Sequence, residues 1–284
     1  MIRGDMKALV SCVALFLALA PPLPAAAEPS VFDAPIFDSH MHYSSGAWEV
    51  YTPAQILDKL NKAGVSRALV TSTPDDGTMK LFEFAPGRVV PGFRPYRTSA
   101  DMARWYENPD LLEYSKARLA SGRHKALGEV HLYMPKNLET PEMAEYLDIA
   151  VARGLVLQPH TDAEVVEALF KKRPGLKILW AHAGFSEPAP VVARMLDQYP
   201  NLWAELSYRA DHIMPYDDLD PDWKALLIRH AGRFTIGSDT WQPDRWHAYQ
   251  ILIDEHREWL GLLPPDVAGK IAYHNAAALF GASR

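Results

Sequence analysis

The 284-residue chain predicts an α/β fold, a single (β/α)8 TIM barrel with a metal site at the C-terminal ends of its strands. Three observations lead there. Short β-rich apolar runs alternate with longer amphipathic stretches, the signature of βα units around a parallel sheet. Eight such runs can be counted. Five of them finish on a metal-binding or acidic residue: Ile36-Phe37-Asp38-Ser39-His40-Met41-His42, Leu127-Gly128-Glu129, Leu155-Val156-Leu157-Gln158-Pro159-His160, Ile178-Leu179-Trp180-Ala181-His182 and Phe234-Thr235-Ile236-Gly237-Ser238-Asp239. An open doubly wound sheet would also alternate in this way, but only a ring brings the first strand's histidines beside the eighth strand's aspartate.

In order, the predicted strands are 36–40, 67–71, 89–94, 126–132, 155–160, 177–182, 202–207 and 234–239. Helices are expected at 53–63, 103–120, 141–152, 163–172, 188–198 and 221–230, with 245–260 following the eighth strand. Thr52-Pro53, Thr140-Pro141 and Asp220-Pro221 each place a capping side chain before a helix-starting proline. Gly64, Gly154 and Gly175 stand where a helix should stop and the next strand begin. The longest irregular segment, about 73–88, is expected to form a loop or lid over the barrel mouth.

Residues 1–27 read as an export signal. Arg3 and Lys7 make a short basic start, Ala8 to Ala20 are mostly apolar, and Ala25-Ala26-Ala27 offers a small-residue cleavage site before Glu28. The apolar run is short of the roughly 20 residues a membrane span needs, so no stable membrane anchor is expected after cleavage and the protein should be secreted or periplasmic. The remainder, 28–284, matches the roughly 250 residues typical of one such barrel. The only cysteine, Cys12, falls in the signal segment, leaving no disulfide and no thiolate ligand for the barrel. The net charge of −6 and the absence of a long basic run exclude nucleic acid as an expected partner. Lys171-Lys172-Arg173 is the longest basic cluster, and its place at a helix end fits dipole complementarity. A small-molecule substrate is expected, and a homo-oligomer is compatible with the sequence.

Residues two apart on a strand share a face, so His40 and His42 can share one ion. Imidazole suits zinc and neighbouring metals, and carboxylates complete or bridge such sites. The expected cofactor is a divalent metal, zinc foremost, at one or two ions per chain. His124, His212, His230, His247, His256 and His274 do not end an apolar strand in phase with the others, which makes them packing or surface residues.

The ordered set Asp38-Ser39-His40-Met41-His42, Gln158-Pro159-His160, Trp180-Ala181-His182-Ala183-Gly184 and Ile236-Gly237-Ser238-Asp239 resembles the amidohydrolase superfamily, in its amidohydrolase-related branch. The closing segment Ile271 to Phe280 is similar to that family's last helix. The resemblance covers 31–281. It implies a metal-dependent hydrolase or, in the same branch, a non-oxidative decarboxylase similar to the amino-carboxymuconate-semialdehyde decarboxylases. By position it implies His40, His42, His160 and Asp239 as ligands. His182 either orients substrate beside one ion or joins His160 on a second. Glu129 stands where two-metal members carry a bridging group.

Asp239 is the expected proton acceptor from a metal-activated water, with His182 the other catalytic candidate. Glu129 either bridges two ions or pairs with a charge such as Arg94, because an unpaired buried carboxylate is costly. Arg94 either clamps a substrate carboxylate through paired donors or closes the barrel rim as a salt bridge. His131, on the same strand face as Glu129, is a candidate substrate contact. Tyr96 ends the third strand with Arg94; Tyr208, Arg209 and Trp241 lie past strands seven and eight, where they either line the pocket or pack, and Trp48 is a weaker candidate. Asp38 and Asp244 are expected to support ligand imidazoles or cap the chain. The leading function is hydrolysis of a small-molecule carboxylic ester, lactone or amide. The alternatives are a single-metal decarboxylase of an aromatic or enoic acid and a non-catalytic metal-binding or sensor barrel.

Overall fold

The computed structural model describes Met1 and residues 31–281. The rest of the predicted signal segment, with Cys12, lies outside the described residues. Eight parallel strands follow one another in sheet order: β1 (Ile36–Met41), β2 (Val65–Val70), β3 (Val89–Phe93), β4 (Ala126–His131), β5 (Val156–His160), β6 (Lys177–Trp180), β7 (Leu202–Glu205) and β8 (Phe234–Thr235). A parallel bridge between Asp38 and Ile236 closes the ring, with the Ser39 amide donating to the Ile236 carbonyl at 2.9 Å. This is the barrel expected from the alternation.

Two apolar layers hold it. The larger lies between the strands and the surrounding helices and includes Ile56 and Leu60 of the helix Pro53–Lys62 and Val165, Val166 and Leu169 of Ala163–Lys172. A smaller cluster takes Phe37, Leu69, Val90, Ala126, Val156 and Leu179, one from each of β1 to β6, and is stoppered by Ala276 and Phe280 of the closing helix Asn275–Phe280. Phe37, Val90, Ala126 and Val156 lie early in their strands and pack with the closing helix, so the apolar plug fills the end of the barrel opposite the histidines and leaves the C-terminal mouth for chemistry.

The predicted caps form. Thr52 accepts from the Gln55 amide while Gln55 reaches back to the Thr52 amide, Thr140 accepts from Met143, and Asp220 from Asp222 and Trp223. Gly154 stops its helix in the left-handed conformation at φ 64°. Four expectations change. The helix predicted over 103–120 begins only at Pro109, because Asn108 caps Pro109–Leu119 and the chain before it runs in short 3-10 turns. The helix at 245–260 is two, Pro243–His247 and Tyr249–Gly261. The segment 73–88 is no irregular lid, since Asp76–Phe84 is helical. Its start is tied down by the buried Asp75, which accepts from Arg118 and His124. A Cβ at Gly77 would lie 1.8 Å from the Tyr43 carbonyl oxygen, so this glycine is there for close packing. Lastly, β6 ends at Trp180 and β8 at Thr235, so His182 and Asp239 lie past their strands.

Candidate metal centre

The site is built from β1 outward. His40 and His42 turn their Nε2 atoms toward each other at 3.2 Å. Their Nδ1 atoms are both engaged. His40 Nδ1 lies 2.7 Å from the Glu205 carboxylate, and His42 Nδ1 lies against the Thr71 carbonyl oxygen. Since a carboxylate and a carbonyl accept, each Nδ1 carries the proton and each Nε2 presents a lone pair. Two lone pairs facing each other in a dry cavity repel unless a metal ion or a proton sits between them. Two nitrogens each about 2.0–2.1 Å from one tetrahedral ion would be roughly 3.3 Å apart, and the observed separation fits.

The carboxylates fit as well. Asp239 Oδ1 lies 3.1 Å from His42 Nε2 and 3.5 Å from His40 Nε2, is buried, and accepts no hydrogen bond. Glu129 spans the site. Its Oε2 faces His42 and His40 at 3.4 and 3.6 Å, and its Oε1 faces His160 Nδ1 at 2.8 Å and His182 Nε2 at 3.2 Å. One carboxylate thus addresses two pairs of histidines. Donor atoms from His40, His42, Glu129 and Asp239 all fall within 4.8 Å of one another, as do those of Glu129, His131 and His160. The residues fit one divalent ion between the first pair and a second beside His160 and His182.

Local backbone makes these positions. At Gly128, with φ 134°, a Cβ would meet the Gln158 carbonyl oxygen at 2.3 Å, and the β4–β5 register shifts between Gly128 and Val130. Glu129 is thereby turned into the barrel. His182 and Asp239 both sit in the left-handed region, at φ 56° and 46°, and the Asp239 amide donates to the His40 carbonyl at 2.7 Å. That conformation strains non-glycine residues, and such strain gathers at functional sites.

Electrostatics follow from burial and mutual proximity. Burial alone would raise the Glu129 carboxyl, but His40, His160 and His182 outweigh it and hold it well below the usual carboxylate range. Asp239 is likewise lowered against its burial, chiefly by His40 and His42. Burial depresses His40, yet Asp239, Glu205 and Glu129 together raise it well above an ordinary imidazole. The cluster favours positive charge at its centre. His131 is pushed down to about 3 by burial, which keeps it neutral.

Every predicted ligand is therefore brought together: His40, His42, Glu129, His160, His182 and Asp239. Several neighbours behave differently from expectation. Arg94 is engaged internally, its Nη2 donating to Glu129 Oε2 at 3.0 Å and its Nε to the Glu129 carbonyl at 2.9 Å. The rim salt bridge is realised and the free substrate clamp is not, because the guanidinium neutralises a carboxylate that is only 4% exposed. The pairing of Glu129 with Arg94 is realised, and a carboxylate oxygen that accepts from arginine keeps a lone pair for an ion. His131 stacks on His160, ring centroids 4.7 Å apart, beside the Tyr96 hydroxyl. Tyr208 and Trp241 do reach the mouth, joined by a Trp241 Nε1 to Tyr208 hydroxyl hydrogen bond of 2.9 Å. Arg209 turns inward to the Phe185 and Glu187 carbonyls, and Trp48 packs under Lys80. Asp38 supports no imidazole: it accepts from Ser238 and from the Tyr249 hydroxyl.

Sequence reasoning missed the imidazole partners. Glu205 holds His40, and Ser207 connects His182 Nδ1 at 2.8 Å to Glu205 Oε2 at 2.9 Å. The signal was a glutamate inside the predicted seventh strand, where a charge is as anomalous as Glu129 is in the fourth. A Cβ on Gly237 would lie 2.5 Å from both Glu205 Oε1 and His40 Cβ, so that glycine makes room for the pair.

Fold and site together define a metal-dependent enzyme of the barrel type. The family model described as amidohydrolase matches residues 37–282, and the chain belongs to that family, a hydrolase acting on small substrates through a metal-activated water. No curated protein matches it. Among solved structures, an amidohydrolase from Burkholderia multivorans with bound zinc is 15% identical, with 87% of this chain and 99% of that one covered and a TM-score of 0.59. A candidate 2-pyrone-4,6-dicarboxylic acid hydrolase from Pseudomonas putida is 18% identical, with 90% and 99% covered and a TM-score of 0.61. A 2,6-dihydroxybenzoate decarboxylase is 11% identical, with 87% and 99% covered and a TM-score of 0.55. At these identities the likeness is one of fold.

Proposed function

We propose that the enzyme opens a carboxylic ester, lactone or amide of a small molecule, using His40, His42, Glu129, His160, His182 and Asp239 as its metal and catalytic set. The observation that carries this reading is Asp239 Oδ1, buried and accepting no hydrogen bond beside two convergent imidazole lone pairs. A divalent ion held there supplies a water of pKa around 7 and polarises the scissile carbonyl. Zinc is the ion we assign, as in the Burkholderia multivorans structure, and two per chain, because Glu129 offers one oxygen to each histidine pair.

The chain's own groups do the rest. Asp239 accepts the water's proton as the oxygen joins the acyl carbon, and returns it to the departing oxygen or nitrogen as the old acyl bond breaks. His182, held by Ser207 through Nδ1, would join His160 in holding the second ion. Glu205, ionised through His40, His182 and the Ser207 amide despite its burial, fixes the His40 ring so that Nε2 keeps its lone pair. We assign the protein to the periplasm or exterior on the strength of its first 27 residues.

The test is elemental analysis together with ester, lactone and amide assays. Two ions per chain and hydrolysis are expected, with Glu129→Gln losing one ion and most activity. Release of CO2 from aromatic or enoic acids without hydrolysis would replace this reading with the decarboxylase one, and unchanged metal content in Glu129→Gln would refute the bridge.

A further inference from the structure

The chemistry at the metal centre leaves the substrate's shape and charge open, and a substrate preference read from the barrel mouth rests on the hydrolase function proposed for that centre. Around the mouth, large apolar side chains stand in solvent just past the strand ends: Tyr133 after β4 at 57% exposure, Phe185 after β6 at 49%, Tyr208 after β7 at 39% and Trp241 after β8 at 52%. They form a continuous wall. Phe185 and Tyr208 have ring centroids 5.7 Å apart, each lies 5.5 Å from the His182 ring, and Phe185 and Tyr133 lie 6.0 and 6.5 Å from the His160 ring. Trp241 extends the wall through its bond to Tyr208.

Two independent facts say what this wall receives. First, Phe185 and Tyr208 sit at φ 59° and 61°, a left-handed conformation that favours glycine and penalises bulky side chains. A side chain buried in the core could offset that cost. Half-exposed rings recover less of it, and the rings these two touch, His160, His182 and each other, belong to the site itself. Arg209 nevertheless fixes the loop by donating to the Phe185 and Glu187 carbonyls, and Arg245 lies 4.1 Å over the Tyr208 ring while bonded to the Ser238 and Asp239 carbonyls. Second, Tyr133 and Phe185 of this wall line, together with His160 and His182, a cavity of about 150 Å³ that has no lysine or arginine in its lining and one carboxylate, Asp162, while Tyr208 stands outside it beside Arg245. The arginines that follow β3, β7 and β8, Arg94, Arg209 and Arg245, already serve Glu129 and backbone carbonyls. A volume of roughly 150 Å³ admits one six-membered ring.

We propose that Phe185 and Tyr208, flanked by Tyr133 and Trp241, select a flat, uncharged ring next to the scissile carbonyl, and that a ring carrying a carboxylate is rejected. The substrate class is a neutral aryl or unsaturated-ring lactone or ester. Hydrolysis of such a lactone balances as water adding OH to the acyl carbon and H to the ring oxygen released.

The experiment compares dihydrocoumarin with the same lactone bearing a ring carboxylate, on the metal-loaded full chain, and measures binding of the two corresponding lactams by calorimetry. A kcat/KM at least about tenfold higher for the neutral lactone is expected. Phe185→Leu and Tyr208→Leu should each raise its KM about three- to tenfold, the size of an aromatic contact, with kcat changed less, and Tyr208→Phe should restore it. Equal or better turnover of the carboxylated ring, or variants that lower kcat and leave KM alone, would overturn the proposal with the hydrolase reading intact. If neither lactone is hydrolysed, that reading fails, and calorimetry still decides this one. Tighter binding of the neutral lactam supports it; equal, reversed or absent binding ends it.

Discussion

Glu205 touches no position a substrate can reach, yet the site's protonation pattern depends on it. It fixes the His40 proton on Nδ1 directly and the His182 proton through Ser207. Glu205→Gln keeps the shape and can turn its amide nitrogen toward either ring, so metal affinity should fall about 10- to 100-fold, measured by competition with a chromophoric chelator. Asp239→Asn should lower kcat by roughly 10² to 10⁴ while the protein still folds, checked by steady-state kinetics beside circular dichroism. His256 provides a pH prediction away from the metal. Its Nε2 donates to the Gly237 carbonyl at 2.9 Å and its Nδ1 accepts from Trp259, and burial lowers its pKa. The unfolded imidazole, near 6.5, takes up a proton before the folded one does. The unfolded state then binds more protons, so this contribution is full above about pH 6.5 and is lost as pH falls below it. Urea unfolding of wild type and His256→Gln across pH 7.5 to 5 should show the gap between them narrowing toward acid; a gap that widens would contradict the assignment.

Elements whose cause is local were legible in the sequence, and those whose cause is a distant contact were not. The helices after Thr52, Thr140 and Asp220 carry their own caps, and the capping side chain and proline sit within three residues of each other. The helix Asp76–Phe84 is different: its Gly77 and Asp75 answer to Tyr43, Arg118 and His124, none of which is near in sequence. The ligands were readable because each ends an apolar run. Glu205 was not, because its run continues through Leu206 and its partner is 165 residues away. A further case is Asn275 in the closing helix, whose Nδ2 donates to the Ala231 and Phe234 carbonyls at 2.7 and 2.8 Å. Those bonds pin the stopper of the barrel to β8. Asn275→Ala leaves two buried acceptors unpaired and should cost about 2–4 kcal/mol, read as a lower urea midpoint with unchanged slope.

For the whole molecule, net charge and hydropathy set limits and little more: among the described residues no helix is long and apolar enough to cross a membrane. Stability should depend strongly on metal. Asp239 and Glu129 converge in one buried cluster, Glu205 joins it through His40, and Arg94 is bonded to Glu129, so removing ions leaves carboxylates partly uncompensated. Bound metal at a thousand times its dissociation constant stabilises by about 4 kcal/mol. Chelator treatment should lower the melting temperature by several degrees in differential scanning fluorimetry, with recovery on adding zinc; no shift would mean the cluster holds no ion in solution.

The first and last of the proposed ligands, His40 and Asp239, are almost the length of the barrel apart in sequence, yet their donor atoms share one cluster of 4.8 Å. No early part of the chain can present these two together, so the site that needs both is incomplete until the eighth strand is in place. Capture of the ion is therefore a late event in assembly, one that registers whether the ring has closed. The same geometry works in reverse: an ion in place ties the first strand to the eighth and guards the seam at which the barrel would otherwise open.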